Sequence, residues 1–284
     1  MPLQHGQAQI RDLLLGPGSA YRLLSDTNPW NLLVRAEQGG KRPWNHGAWS
    51  GAEWAEEKVV PVVVAIDTDD PVDWLALHQQ LAAAFRPVGE ITTDVELRIG
   101  WGGAEYVLFG RPRMVEPHVR TAGSGKTITE AAFVALDPII YSADEQVEAL
   151  GLPSFTGGLT IPVQAPFTVD GVLVGGKVTV ENEGTADTPL ALRVDGPVQS
   201  PRVTLQRPDG LIQTLQVLFD LGAGQWLDID TGAHTVLLNG TTNRRGQVAG
   251  VFPILPPGVS TLRFQAAAFH DDAELTARWR HAWW

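Results

Sequence analysis

Ile254-Leu255-Pro256-Pro257-Gly258, then Ser260-Thr261-Leu262-Arg263-Phe264, and finally Arg278-Trp279-Arg280-His281-Ala282-Trp283-Trp284 are the stretches that decide the fold of this 284-residue chain. The Pro-Pro-Gly corner is a turn, and the alternation Leu262, Phe264, Ala266 after it is that of a strand with one buried face. Chain ends fray and are polar unless a sheet or a docking surface holds them. Three tryptophans among the last six residues therefore predict a packed terminal strand, with Trp279, Trp283 and Trp284 as its docking residues.

Upstream of that corner, turn signals recur roughly every ten residues, the spacing of short antiparallel strands. They are Asn239-Gly240, Thr231-Gly232, Pro208-Asp209-Gly210, Asp195-Gly196-Pro197 and Glu181-Asn182-Glu183-Gly184, with no helical pattern between them. Residues 167–284 therefore read as an antiparallel β-sandwich. Residues 151–166 are rich in Gly and Pro and lack periodicity, as a linker does, which leaves residues 1–150 as a first domain. A chain of this length exceeds what one core usually serves.

The first domain reads as mainly β with one helix. Residues 59–66 are a β-branched run whose Pro61 marks an edge position. Asp69-Asp70-Pro71-Val72-Asp73 has a capping carboxylate, a first-turn proline and acids facing the positive end of a helix dipole. Trp74, Leu77, Leu81 and Phe85 then share one helical face, and Arg86-Pro87 stops it, so a helix spans about residues 71–86. Val95, Leu97 and Ile99 alternate with Glu96 and Arg98, and Trp101-Gly102-Gly103 turns the chain into Tyr106-Val107-Leu108-Phe109, a hairpin. Residues 127–136 form another strand, and Ser142 with Glu145 three places on predicts a short capped helical segment.

Composition excludes several functions. There is no Cys, hence no disulfide, thiolate metal site or Cys nucleophile. The first sixteen residues lack a basic leader, and no apolar stretch is long enough to span a bilayer, so neither secretion nor membrane insertion is expected. Net charge is −11, and residues 1–150 hold −8 of it, with 12 Lys and Arg against 20 Asp and Glu. An acidic surface repels phosphate, so no specific nucleic-acid binding is expected.

Motifs that resemble catalytic sites do not survive inspection. Gly123-Ser124-Gly125-Lys126-Thr127 has Arg120 where a phosphate loop needs its first Gly, and it leads into a strand rather than a helix. Asp230-Thr231-Gly232-Ala233 lacks the second carboxylate that aspartic proteolysis requires, and reads as a turn. Asp67, Asp69, Asp70 and Asp73 lack the Gly and the terminal Glu of a calcium loop, and helix capping accounts for three of the four. The seven His residues show no paired ligand spacing. No catalytic, cofactor or metal residue is expected, and the protein is not expected to be an enzyme. Trp30, Trp44, Trp49 and Trp54 cluster in a loop-rich segment. They are candidate subunit-interface anchors, because aromatic residues are enriched at interfaces.

Leu136-Asp137-Pro138-Ile139-Ile140-Tyr141-Ser142 is the second landmark. Together with Asn45-His46-Gly47, the run 59–66, the helix, Gly184-Thr185-Ala186-Asp187-Thr188-Pro189, Asp195-Gly196-Pro197 and the aromatic terminus, it resembles the distal tail protein family of long-tailed, siphovirus-type bacteriophages. The likeness runs over nearly the whole chain. Ile139 departs from it, standing where related sequences often have Arg. The resemblance implies a structural virion protein at the distal end of the tail, made in the host cytoplasm. It implies a hexameric ring built by the first domain, joining the tail tube to the tail hub or baseplate beside the tape measure protein. It further implies that the second domain is galectin-like. Short inter-strand loops leave no room for inserted sugar-binding modules. The alternative is a carbohydrate-binding module or lectin that attaches the tail to host glycans, which would need an exposed aromatic platform on the sandwich.

Overall fold

A computed structural model describes residues 2–24, 27–68, 70–89, 94–118, 126–156 and 172–284 of the chain. They form two compact units, Met1–Asp144 with Trp284, and Glu145–Trp283. Most of the chain is strand, paired antiparallel, and Pro71–Ala84 is the one α-helix among the described residues.

In the first unit the strands run in the order Leu13–Leu15, Ala8–Ile10, Val95–Trp101, Ala104–Pro117, Lys126–Ala135, Lys58–Asp67, Tyr21–Leu23. Their register puts Val60, Val62, Val64 and Ile66 on the same side as Phe133, Leu108, Leu97 and Ile99, and all eight are buried. Alternation with period two is what gathers them on one face. The expected hairpin forms with Ala104 opposite Trp101. Its two loop residues, Gly102 and Gly103, take φ of 61° and 89°, which glycine adopts without strain and which suits the strand twist.

Pro61 is tolerated for a local reason. The neighbouring strand Tyr21–Leu23 covers only Val64, Ala65 and Ile66. On the same side, Val59 and Val63 offer their carbonyls to Asn31 Nδ2 (3.3 Å) and Leu24 N (2.9 Å). Pro61 lies between these two, beyond the reach of the short strand, where an amide hydrogen would meet no ladder partner.

The helix is held at both ends. Asp70 accepts a hydrogen bond from Val72 N at 2.8 Å, with Pro71 in the first turn. Leu81, Ala84 and Phe85 are buried and Trp74 and Leu77 half-buried, a stripe that packs on Lys58–Asp67 and Leu13–Leu15. The helix stops at Ala84, since Pro87 disfavours helical backbone at Arg86. Its end is also met from outside: Arg11 donates to Ala84 O (2.8 Å) and Arg86 O (3.0 Å), and to Ala83 O (2.9 Å), which Arg86 N reaches as well (3.3 Å).

The helical segment expected at residues 142–145 does not form. Ser142 ends the strand Ile140–Ser142, and its hydroxyl donates to Asp144 O at 2.7 Å in a bend. Gln146–Gly151, with 146–150 expected in the first domain and Gly151 in the linker, is a strand paired over its full length with Glu274–Trp279, which places it in the second unit. One isolated helical turn fixes several residues for a single bond, whereas a ladder satisfies the backbone residue by residue. Most of the expected linker, residues 157–166, lies outside the described residues.

The second unit is a sandwich. One sheet orders Gln146–Gly151, Glu274–Trp279, Ala191–Asp195, Trp226–Asp230, Thr235–Leu238 and Thr242–Asn243. The other orders Lys177–Asn182, Gly258–Gln265, Arg202–Gln206, Ile212–Val217 and Val248–Gly250. Leu192, Leu227 and Leu275 from the first sheet form one buried cluster with Val203, Leu262 and Phe264 from the second. The strand foreseen after the Pro-Pro-Gly corner is thus an interior strand with Ser260, Leu262 and Phe264 buried.

Candidate functional site

Residues 34–55 form a long hairpin arm. Val34–Glu37 pairs with Ala52–Ala55, Gly40–Lys41 pairs with Ala48–Trp49, and among the described residues neither ladder gains a third strand. Between the ladders Gln38 takes φ 58°, and a Cβ on Gly51 would collide with the Glu37 carbonyl. At the tip, Arg42 N donates to Gly47 O at 3.1 Å, enclosing Pro43-Trp44-Asn45-His46. No residue of the arm is buried.

The four expected interface tryptophans separate into two kinds. Trp44, Trp49 and Trp54 lie on the arm, fully exposed for Trp44 and 57% and 58% exposed for the others. Trp44 holds a left-handed φ of 61°, uncommon for a bulky residue. Trp30 is half-buried instead, edge-on to Tyr106 with ring centres 5.1 Å apart. An isolated two-stranded hairpin is marginal in water, and three exposed indoles on one hairpin form an apolar surface that monomers seldom carry.

The terminal tryptophans are also divided. Trp279 is buried in a strand flanked on both sides, and its Nε1 donates to Glu181 O at 2.8 Å. Trp283 is half-buried in the two-residue strand Ala282–Trp283, and Trp284 is 45% exposed. The expected single terminal strand is therefore two, because Arg280-His281 breaks it. The break is tied to the turn after Lys177–Asn182: Ala282 N donates to Asn182 Oδ1 (3.1 Å), and Thr185 N and Ala186 N donate to Ala282 O (2.8 and 2.9 Å).

The Asp137-Pro138 landmark is a locked corner. Asp137 accepts from Ile139 N (3.1 Å) and from the Tyr141 hydroxyl (2.6 Å). Burial, then the Asp137 carboxylate, push the Tyr141 phenol far above its ordinary value. Lys58 lies within electrostatic reach of Asp137, is 2% exposed and makes no hydrogen bond through Nζ. Burial lowers its ammonium to about 8, and Asp137 offsets part of that. Neither Lys58 nor Arg11 carried a sequence signal, since each is one basic residue beside an apolar run.

Asp230 is occupied by its own turn, with Oδ1 accepting from Gly232 N (2.9 Å) and Ala233 N (2.8 Å). Thr231, fully buried, accepts from Leu190 N through its hydroxyl at 2.7 Å. The segment Gly123-Ser124-Gly125 and Asp69 lie outside the described residues, while Asp70 is the helix cap. Among the described residues no three His, Asp or Glu side chains are grouped to hold a metal. No helix among them is long and apolar enough to cross a membrane. On the outer face of the sandwich, Trp226 donates Nε1–H to Asp228 (2.9 Å), and the Arg193 guanidinium sits 4.8 Å from its ring centre.

The described residues thus build a one-helix β unit with an exposed aromatic arm, and an antiparallel sandwich. Residues 183–283 match the family model described as the siphovirus-type tail component, C-terminal domain. The whole chain shares the fold of the SPP1 Dit protein, described as a paradigm of the hub adsorption apparatus in phages infecting Gram-positive hosts. There the TM-score is 0.65 at 12% identity, over 97% of this chain and 98% of that one. Chains of the phage P2 baseplate in its activated conformation also match. With Ca the TM-score is 0.52 at 11% identity, and with Sr 0.54 at 10%, each over 96% of this chain and 97% of the other. No curated protein sequence matches. The resemblance to the siphovirus distal tail proteins is thereby borne out.

Proposed function

We propose that this protein is a structural, non-catalytic component of the phage tail tip. Its first unit closes into a hexameric ring joining the tail tube to the hub or baseplate, next to the tape measure protein. The second unit is a galectin-like sandwich. The observation that carries the reading is the arm, which has three exposed indoles, no buried residue and, among the described residues, no third strand. Covering it by another subunit removes an apolar surface that water tolerates poorly. The tail-component match over residues 183–283 supports the location in the virion tail.

The sugar-binding alternative lacks support on the sandwich, where Arg193 covers the Trp226 ring and Asp228 takes its N–H. Negative-stain imaging with light scattering tests the ring. Sixfold particles are expected, and monomer alone at high micromolar concentration, with no tail partner able to recruit it to a ring, would sink the reading.

A further inference from the structure

We infer that a cleft on the outer face of the sandwich binds an acidic side chain, presented by a peptide segment of a partner protein. The inference is independent of the ring reading. The cleft measures about 500 Å³ and lies on the sheet that contains Gly258–Gln265. Register sets Arg202 between Gln216 and Gln265 on three adjacent strands, where they alternate with the buried Val203, Leu215 and Phe264. Period two therefore turns all three polar side chains outward. Arg202 is held ready there. Gln216 Nε2 donates to Ser200 O (2.8 Å), Pro201 O (3.2 Å) and Val217 O (3.0 Å). With its amide nitrogen so fixed, Gln216 turns Oε1 toward Arg202, whose Nε donates to it at 2.6 Å. Both Nη groups of Arg202, and the Gln265 amide, have no protein partner among the described residues. A guanidinium anchored at Nε loses less freedom on binding, and its open fork matches the two oxygens of a carboxylate.

The lining selects the occupant. Among the described residues no Asp or Glu contributes to it, in a chain of net charge −11. The nearby Asp220 is engaged by Ser200, whose amide (3.0 Å) and hydroxyl (3.3 Å) both donate to its Oδ1. Arg202 is the one cation of the lining, which balances a single carboxylate rather than a doubly charged phosphate. No aromatic ring lines the cleft for a sugar or a base to stack on. The rest of the lining is largely aliphatic, with Ala266, Ala267 and Leu218, the last 60% exposed. A carboxylate on the short stem of Asp or Glu, with an aliphatic residue next to it, complements both parts. Gln265 adds a donor and an acceptor for the peptide backbone that carries them. Arginine is enriched at protein interfaces, and such anchors carry much of the binding.

Titration of the full chain with the peptide acetyl-Ala-Leu-Glu-Leu-Ala-amide, and with its Gln counterpart, tests this by NMR of the arginine side chains. The Glu peptide is expected to bind roughly tenfold more tightly than the Gln peptide, and to move the Arg202 resonance. Arg202→Gln should abolish that preference. Arg202→Lys should weaken the Glu peptide about fivefold, since an ammonium is a point charge without the fork. Gln216→Ala keeps the charge but frees Arg202 Nε, and is expected to cost about threefold. Melting followed by circular dichroism confirms that each variant is folded. Equal binding of the two peptides, or binding of neither, would overturn the inference, because no carboxylate is then recognised. Undiminished binding by Arg202→Lys would overturn it as well, since net charge alone would suffice. Acetate bound as tightly as the Glu peptide would show a site for free carboxylates rather than for a peptide, which also overturns it.

Discussion

Tyr141 donates its phenolic hydrogen to Asp137 at 2.6 Å, and that bond holds the corner where the strand Lys126–Ala135 turns back into Ile140–Ser142. Both groups come from one short stretch, so the Asp-Pro-x-x-Tyr spacing is explained by its geometry. Asp137 takes Ile139 N on one oxygen and Tyr141 on the other.

Tyr141→Phe is expected to destabilise the first unit by about 1.5–3 kcal/mol, the usual worth of a hydrogen bond to a charged acceptor. Urea unfolding followed by circular dichroism reads this. The parent's Tyr141 should also stay protonated until the unit unfolds, since burial and Asp137 both raise its phenol. Ultraviolet titration that shows all three tyrosines ionising together before unfolding would contradict that.

Lys58 gives a pH dependence of definite sign. Its folded-state ammonium is lowered to about 8, below the ordinary lysine value of about 10.4. Between those values the unfolded chain binds more protons than the folded one, so stability rises with pH. The gain is complete above the unfolded value and is lost as pH falls through about 8. Lys58→Met removes this slope. The difference in urea midpoint between parent and variant should therefore shift in the parent's favour from pH 7.5 to pH 10.5. A constant difference would mean that Lys58 does not titrate in that window.

Arg11 tests the helix clamp. Replacing it by Ala takes this donor from Ala84 O and Arg86 O, while Ala83 O keeps Arg86 N at 3.3 Å, at an expected cost of about 1–2 kcal/mol. Lys at this position should recover only the smaller part, because one ammonium cannot reproduce the fork that spans Ala83, Ala84 and Arg86. Faster amide exchange confined to the helix is the expected signature. Unchanged exchange in Arg11→Ala would show that water serves these carbonyls equally well.

What was legible in the sequence followed local chemistry. The Asp70 cap, the Gly102-Gly103 turn, the stripe Trp74, Leu77, Leu81, Phe85 and the strand after Pro256-Pro257-Gly258 each depend on neighbours within a few residues. The errors came from long-range pairing. Gln146–Gly151 belongs with Glu274–Trp279, a partner more than a hundred residues away, and that ladder overrides the capping pattern at Ser142. The four loop tryptophans formed one cluster in sequence. A hairpin separates Trp44, Trp49 and Trp54 from Trp30, and only pairing across Val34–Glu37 and Ala52–Ala55 reveals it. Lys58 and Arg11 act through atoms distant in the chain and left no pattern to read.

The terminal tryptophans make the sharpest test, because the structure assigns them unequal surroundings. Trp279 is buried and hydrogen-bonded to Glu181 O, whereas Trp284 is 45% exposed. Deleting residues 278–284 removes a buried indole from an interior strand. Truncating one such side chain costs about 3–5 kcal/mol, and a domain is stable by only about 5–15 kcal/mol. The unfolding transition of the second unit should then vanish from the calorimetric trace. Deleting only residues 280–284 keeps Trp279 and strips the Ala282 bonds to Asn182, Thr185 and Ala186. That loss leaves the buried Asn182 oxygen one donor short and is expected to cost about 1–3 kcal/mol, lowering the melting temperature without abolishing the transition. If the shorter deletion melts like the parent yet fails to join tails, Trp283 and Trp284 act as docking residues for a neighbouring subunit. If the longer deletion also melts like the parent, Trp279 is not a core residue of the sandwich.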